Sequence, residues 1–155
     1  MTPRLKLAQR LALGVPALLL AGAYISEYGF ELFPCEMCWW QRYPHFAGVG
    51  LALVSTVARP RQLWIALAAL AVLASGLIGA FHAGVEYGWW EGITSCASNV
   101  AKGGDPLEAI MNAPLVRCDV AAWTLAGISL AGFNAIISTV SAVAIFALVA
   151  KDGRP

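Results

Sequence analysis

Charged residues are scarce in this chain. Lys, Arg, Asp and Glu make up 12% of the 155 residues, against 59% hydrophobic ones. So little charge excludes an ordinary soluble domain and makes the lipid bilayer the main solvent. Basic runs are missing too, and the formal net charge is only +1, so nothing points to a nucleic-acid partner. Internal repeats and low-complexity segments are absent, which leaves a single integral membrane domain over residues 1–155. A second C-x-x-C pair is also lacking. Beyond Cys35 and Cys38 the cysteines are Cys96 and Cys118, with twenty-one residues between them. That spacing argues against a zinc site of four thiolates, whose signature has such a pair at both ends.

What the chain has is apolar length. A helix needs about 20 apolar residues to cross a bilayer, and the pattern predicts helices over 11–30, 40–58, 63–87 and 123–150. Outer loops are expected at 31–39 and 88–122. The first stretch could pass for a signal peptide, because Ala21–Ala23 resembles a small-residue cleavage site. Its apolar character continues through Tyr24, Ile25, Tyr28 and Phe30, so it is read as a retained helix. Pro44 is expected in the first turn of the second helix, where its missing N–H does no harm. Gly76, Ala80 and Gly84 form a small-residue ridge for close helix contact. Asn134, the strongly polar residue of the last stretch, is read as an interhelical hydrogen bond. Residues 105–112 begin with Asp105, Pro106 and Glu108, the signature of a short helix, here one lying on the membrane surface. The expected fold is an all-α membrane protein: a four-transmembrane-helix bundle with that surface helix in the second outer loop.

Arg4, Lys6 and Arg10 precede the first helix, Arg59 and Arg61 separate the second and third, and Lys151 and Arg154 follow the fourth. Arg42, Lys102 and Arg117 fall on the other side. The positive-inside rule then puts both termini in the cytoplasm and all four cysteines outside, where disulfides persist.

The cysteines suggest two pairs, Cys35 with Cys38 and Cys96 with Cys118. Structural staples are one reading. Against it, Cys35–Cys38 closes too short a loop to stabilise much. The other reading is a thiol-disulfide relay, in which one pair passes oxidation to the other through attack of a thiolate on a sulfur. Arg42, one helical turn after Cys38, would favour a thiolate there. Electrons arriving at this pair need an acceptor, and an apolar bundle suggests a lipid-soluble one such as a quinone.

Several motifs recur together: C-x-x-C-x-x-x-R at Cys35–Arg42, His82-Ala-Gly-Val-Glu86, Trp89-Trp90 with Cys96 beyond it, and Arg117-Cys118-Asp119 before the last helix. Across nearly the whole chain this combination resembles the DsbB family of disulfide bond formation proteins, although the Cys96–Cys118 loop looks shorter than in its best-known members. The resemblance implies a bundle in the bacterial inner membrane with periplasmic cysteines. It also implies reoxidation of a DsbA-type periplasmic thiol oxidase and electron transfer to ubiquinone or menaquinone. Cys96 would form the mixed disulfide with the partner, and Cys118 would attack Cys35 and free Cys38 as a thiolate facing the quinone. Arg42 would support both that thiolate and the quinone oxygen, and His82 would lie near the quinone. Glu86 is expected to be a solvated helix end. A vitamin K epoxide reductase-like protein shares four helices and paired cysteines, but usually places its C-x-x-C near the last helix.

Overall fold

The computed structural model describes residues 1–94 and 116–152. Four long helices account for most of them: α1 (Pro3–Phe30), α2 (Glu36–Val57), α3 (Arg61–Glu86) and α4 (Leu130–Asp152). Cys96 and the surface helix expected at 105–112 lie outside the described residues.

Capping chemistry sets the helix starts. The Thr2 side chain accepts the Leu5 N–H and Pro3 takes the first helical position, so α1 begins eight residues before its apolar run. Likewise α2 starts at Glu36, four residues earlier than the hydropathy pattern implies, because Cys35 is its N-cap and its sulfur accepts the Cys38 N–H. Pro44 therefore sits well inside α2 and not in its first turn. The last helix differs more. Residues 124–129 form a two-stranded hairpin, Thr124–Leu125 with Ile128–Ser129, and α4 begins only at Leu130. Ala126 and Gly127 both have positive φ, 52° and 79°, the pattern of a tight hairpin turn. The Tyr87 hydroxyl pins this hairpin to the end of α3, donating to Gly127 O and accepting from Ser129 N–H.

α3 packs chiefly on α2 and α4, while α1 closes the bundle against those same two helices. Small residues fill the interior: Ala8, Ala12, Ala52, Ala68 and Ala69 surround Ile65 and Ile145. Large apolar side chains such as Leu18, Leu53, Leu70, Leu77 and Val140 point outward, as expected of helices solvated by lipid. Among the described residues α1, α3 and α4 are long and apolar enough to cross a membrane. α2 falls short by composition, since Glu36, Gln41, Arg42 and His45 interrupt it.

One end of the bundle gathers Thr2, Arg4, Gln62 and Asp152 through hydrogen bonds of the Asp152 carboxylate and the Lys151 carbonyl. The Arg59–Arg61 turn lies at this end. Cys35, Cys38 and Cys118 lie at the other.

Gly76 and Gly79 make the α3–α4 contact, whereas Ala80 of the expected ridge is exposed and takes no part. A Cβ on Gly79 would stand 3.0 Å from both Ala131 O and Asn134 Nδ2. Backbone cannot yield there, so Gly79→Ala should destabilise the bundle by about 1–3 kcal/mol. Thermal unfolding in detergent checks this, with Gly50→Ala, which faces open space, as the neutral control.

Candidate functional site

The C-x-x-C motif folds as the mouth of α2. Cys35 sits outside the first turn with extended backbone, and Cys38 lies within that turn. Their sulfurs are 2.9 Å apart, and the Cys38 N–H donates to Cys35 Sγ at 3.3 Å. Both are free thiols, Cys35 buried and Cys38 half-buried. The hydrogen bond to Cys38, reinforced by burial, holds the Cys35 thiol well above the ordinary range. The proton of the pair therefore stays on Cys35. Cys38 lies at a helix N-terminus, whose unpaired N–H groups favour negative charge.

Cys118 is disulfide-bonded and fully buried. It packs in one cluster with Cys35, Met37 and Val85, against which Cys38 also packs, so one cysteine of the expected second pair joins the first pair inside the fold. The Thr94 hydroxyl donates to Cys118 Sγ at 3.5 Å. Beside it, Arg117 and Asp119 form a bidentate ion pair.

His82 stands at this junction, 2% exposed. Its Nε2 is 3.6 Å from Cys35 Sγ and 3.2 Å from Cys118 O, and its Nδ1 is 2.9 Å from Gln41 Nε2. Cys35, Cys38 and His82 offer ligand atoms within 4.8 Å of one another, one donor short of the usual structural zinc site. Glu86 is no solvated helix end: its side chain is 7% exposed and its Oε1 lies 3.7 Å from His82 Nε2.

From Gln41 a polar layer crosses the bundle. Asn134 on α4 donates through Nδ2 to Gln41 Oε1 at 2.8 Å and to Ser75 O at 3.2 Å. Its Oδ1 lies 2.9 Å from His45 Nε2 and accepts from Ser138 at 2.8 Å. Ser75 donates to Gln41 O at 2.8 Å, the segment of α2 just before Pro44. Asn134 is thus an interhelical hydrogen bond, as its sequence context indicates. Gln41 and His45 carried no sequence signal of this role beyond being polar residues one turn apart in an apolar helix.

Arg42 is 6% exposed. It pairs with Glu27 at 2.6 Å, donates to Ala23 O at 3.4 Å, and its guanidinium lies 4.8 Å from both the Tyr24 and Trp39 rings. It does not snorkel to the surface. Glu27, one turn before the end of α1, supplies the counter-charge that allows this burial.

A cavity of about 270 Å³ opens beside these groups, with Leu18, Leu19, Phe33 and Phe133 among its apolar walls and Cys38, Arg42, His45, His82 and Glu86 as polar lining. Five of the six expected site residues thus come to one place: Cys35, Cys38 and Cys118 around His82, with Arg42 in the cavity wall.

This constellation agrees with comparison to known proteins. The family described as disulfide bond formation protein DsbB matches residues 6–148. The chain belongs to the DsbB family. A disulfide bond formation protein B of Verminephrobacter eiseniae (strain EF01-2) is 32% identical over 99% of this chain and 89% of its own length. An uncharacterised protein of Rickettsia prowazekii (strain Madrid E) is 24% identical over 87% of this chain and 82% of its own. No solved structure matches. Membership makes this chain an oxidoreductase of disulfide bond formation and, with its apolar helices, a multi-pass inner-membrane protein.

The unequal thiols of the first pair have a measurable consequence. With the proton held on buried Cys35, iodoacetamide at pH 8 should modify Cys38 first. Peptide mass mapping after brief exposure reads this out; equal labelling of both would contradict the assignment.

Proposed function

We propose that this protein is a quinone-dependent thiol-disulfide oxidoreductase that reoxidises a DsbA-type periplasmic dithiol oxidase. The observation that carries the reading is the shared cavity: an apolar space touching Cys38, with Arg42 in its wall, while Cys38 also packs on the cluster that holds Cys35 and Cys118. The space suits a flat, apolar ring with polar oxygens. Its walls are mostly aliphatic and aromatic, and buried His45 Nδ1 has no hydrogen-bond partner among the described residues.

All four helices span the membrane in this reading, with both termini cytoplasmic and the cysteines periplasmic. α2 crosses despite its polar residues because Gln41, Arg42 and His45 face the bundle interior and each has a partner there, while exposed Glu36 lies at its end. Cys96 receives the partner's thiolate, which leaves Cys118 reduced. Cys118 then attacks Cys35 and expels Cys38 as a thiolate. A bound quinone, ubiquinone or menaquinone, supplies the chemistry of a two-electron, two-proton acceptor. Cys38 stands at the cavity to deliver charge, while Arg42, always protonated and rich in donors, stabilises negative charge at both the sulfur and a ring oxygen. The Glu27 carboxylate holds that guanidinium in place. His82 lines the same cavity.

Purified protein mixed with a reduced DsbA-type partner should reduce a soluble quinone stoichiometrically with partner oxidation, followed by the quinone's ultraviolet absorbance. Cys38→Ser should abolish this, and absence of quinone reduction by the unaltered protein would overturn the proposal. Cys96→Ser should block reaction with the partner while leaving the Cys35–Cys38 pair oxidisable by quinone.

Arg42→Met should lower quinone-dependent turnover about tenfold or more, the worth of one hydrogen bond to a charged group. Arg42→Lys should retain part of the activity, and exchange at Cys96 should persist in both. An unchanged apparent KM and kcat in Arg42→Met would confine Arg42 to a structural role.

A further inference from the structure

A histidine 3.6 Å from a cysteine sulfur is ordinarily read as the base that activates it. The hydrogen bonds around His82 assign it the opposite polarity. Backbone carbonyls accept and never donate, so they identify the atoms that approach them. Met37 O, at 3.1 Å, fixes the adjacent Gln41 atom as the amide nitrogen Nε2. Ser75 O, at 3.2 Å, does the same for Asn134 Nδ2. That nitrogen in turn donates to Gln41 Oε1 at 2.8 Å, so both amides are locked in one mutually consistent orientation. One Gln41 hydrogen goes to Met37 O, and the other points at His82 Nδ1, 2.9 Å away. Nδ1 must receive it on a lone pair. The single ring hydrogen of neutral His82 therefore sits on Nε2, facing another obligatory acceptor, Cys118 O, at 3.2 Å.

We propose that Gln41, buttressed by Asn134, is a positioning residue that keeps His82 a hydrogen-bond donor at the junction of the two cysteine pairs, where it holds the Cys118 backbone beside Cys35. This rests on the relay order proposed for the cysteines. In that step the Cys118 thiolate attacks Cys35 Sγ. The Cys35–Cys118 bond forms, the Cys35–Cys38 bond breaks, and the electron pair leaves on Cys38. No proton moves, so a base at His82 would have nothing to take. A donor serves the step twice: Nε2–H tethers the attacking residue through its carbonyl and lies near the sulfur under attack. The same polarity disfavours metal capture by Cys35, Cys38 and His82, because the imidazole turns a hydrogen, not a lone pair, toward the thiols.

The test is nitrogen NMR of protein labelled with 15N-histidine, in detergent at neutral pH. There are two histidines in the chain, and a His82→Phe sample assigns them. The wild type should show a protonated, pyrrole-type Nε2 and an unprotonated, pyridine-type Nδ1 at His82. Gln41→Met should yield a mixture of tautomers, and Asn134→Leu a smaller shift in the same direction. In parallel, rapid mixing with a reduced DsbA-type partner followed by acid trapping and peptide mapping measures formation of the Cys35–Cys118 disulfide. Gln41→Met should slow it about tenfold. A hydrogen on Nδ1 in the wild type overturns the proposal without any variant, as does a wild-type exchange rate in a Gln41→Met protein whose tautomers have mixed. A wild type with the expected tautomer that never forms the Cys35–Cys118 disulfide overturns the relay order itself, and with it the tethering role of His82.

Discussion

Inside an apolar bundle a polar group has no water to fall back on, so each must find its partner within the protein or remain costly. That constraint organises this molecule. Asn134 joins α4 to α2 and α3 through one side chain, and Gly79 allows it to approach by bringing the α4 backbone against α3. Ser75 satisfies the Gln41 carbonyl on α2. Arg42 and Glu27 neutralise each other between α1 and α2. Small apolar residues determine how near the helices come, and these polar links determine their rotation about their own axes. With rotation set, Cys38, Arg42 and His45 turn toward one cavity.

The same layer separates two ends of different character. Termini and the α2–α3 turn meet around Asp152 at one end. At the other, loop residues around Cys118 fold inward until a cysteine from the second half of the chain joins one from the first in a single cluster. Electron exchange needs that contact, whereas helix packing does not, and the cluster of Cys35, Met37, Val85 and Cys118 is small compared with the alanine-rich core below it.

Apolar length made the helices legible from the sequence, and cysteine spacing pointed to sulfurs that the fold brings together. Helix starts were less so, since Thr2 and Cys35 cap their helices outside the apolar runs that hydropathy registers. The hairpin before α4 escaped notice because its residues, Thr124 to Ser129, read as a continuation of the apolar stretch. Only the positive φ values of Ala126 and Gly127 and the reach of Tyr87 reveal it. Glu86 looked like a helix end in water, and the fold buries it against His82. The polar layer was the least visible feature. Its members lie on three helices, and nothing local in a sequence says which serine will face which amide.

The N-cap of α2 ties redox chemistry to backbone order. The sulfur that accepts the Cys38 N–H is, in the proposed relay, also the sulfur on which bonds are made and broken. As a thiol or thiolate it closes the first turn; drawn into a bond with Cys118, it is pulled toward a different neighbour and the amide must look elsewhere. On the proposed relay the first turn of α2 tightens and loosens with each catalytic cycle, so that the oxidation state of the pair is also a mechanical state of the helix end lining the cavity.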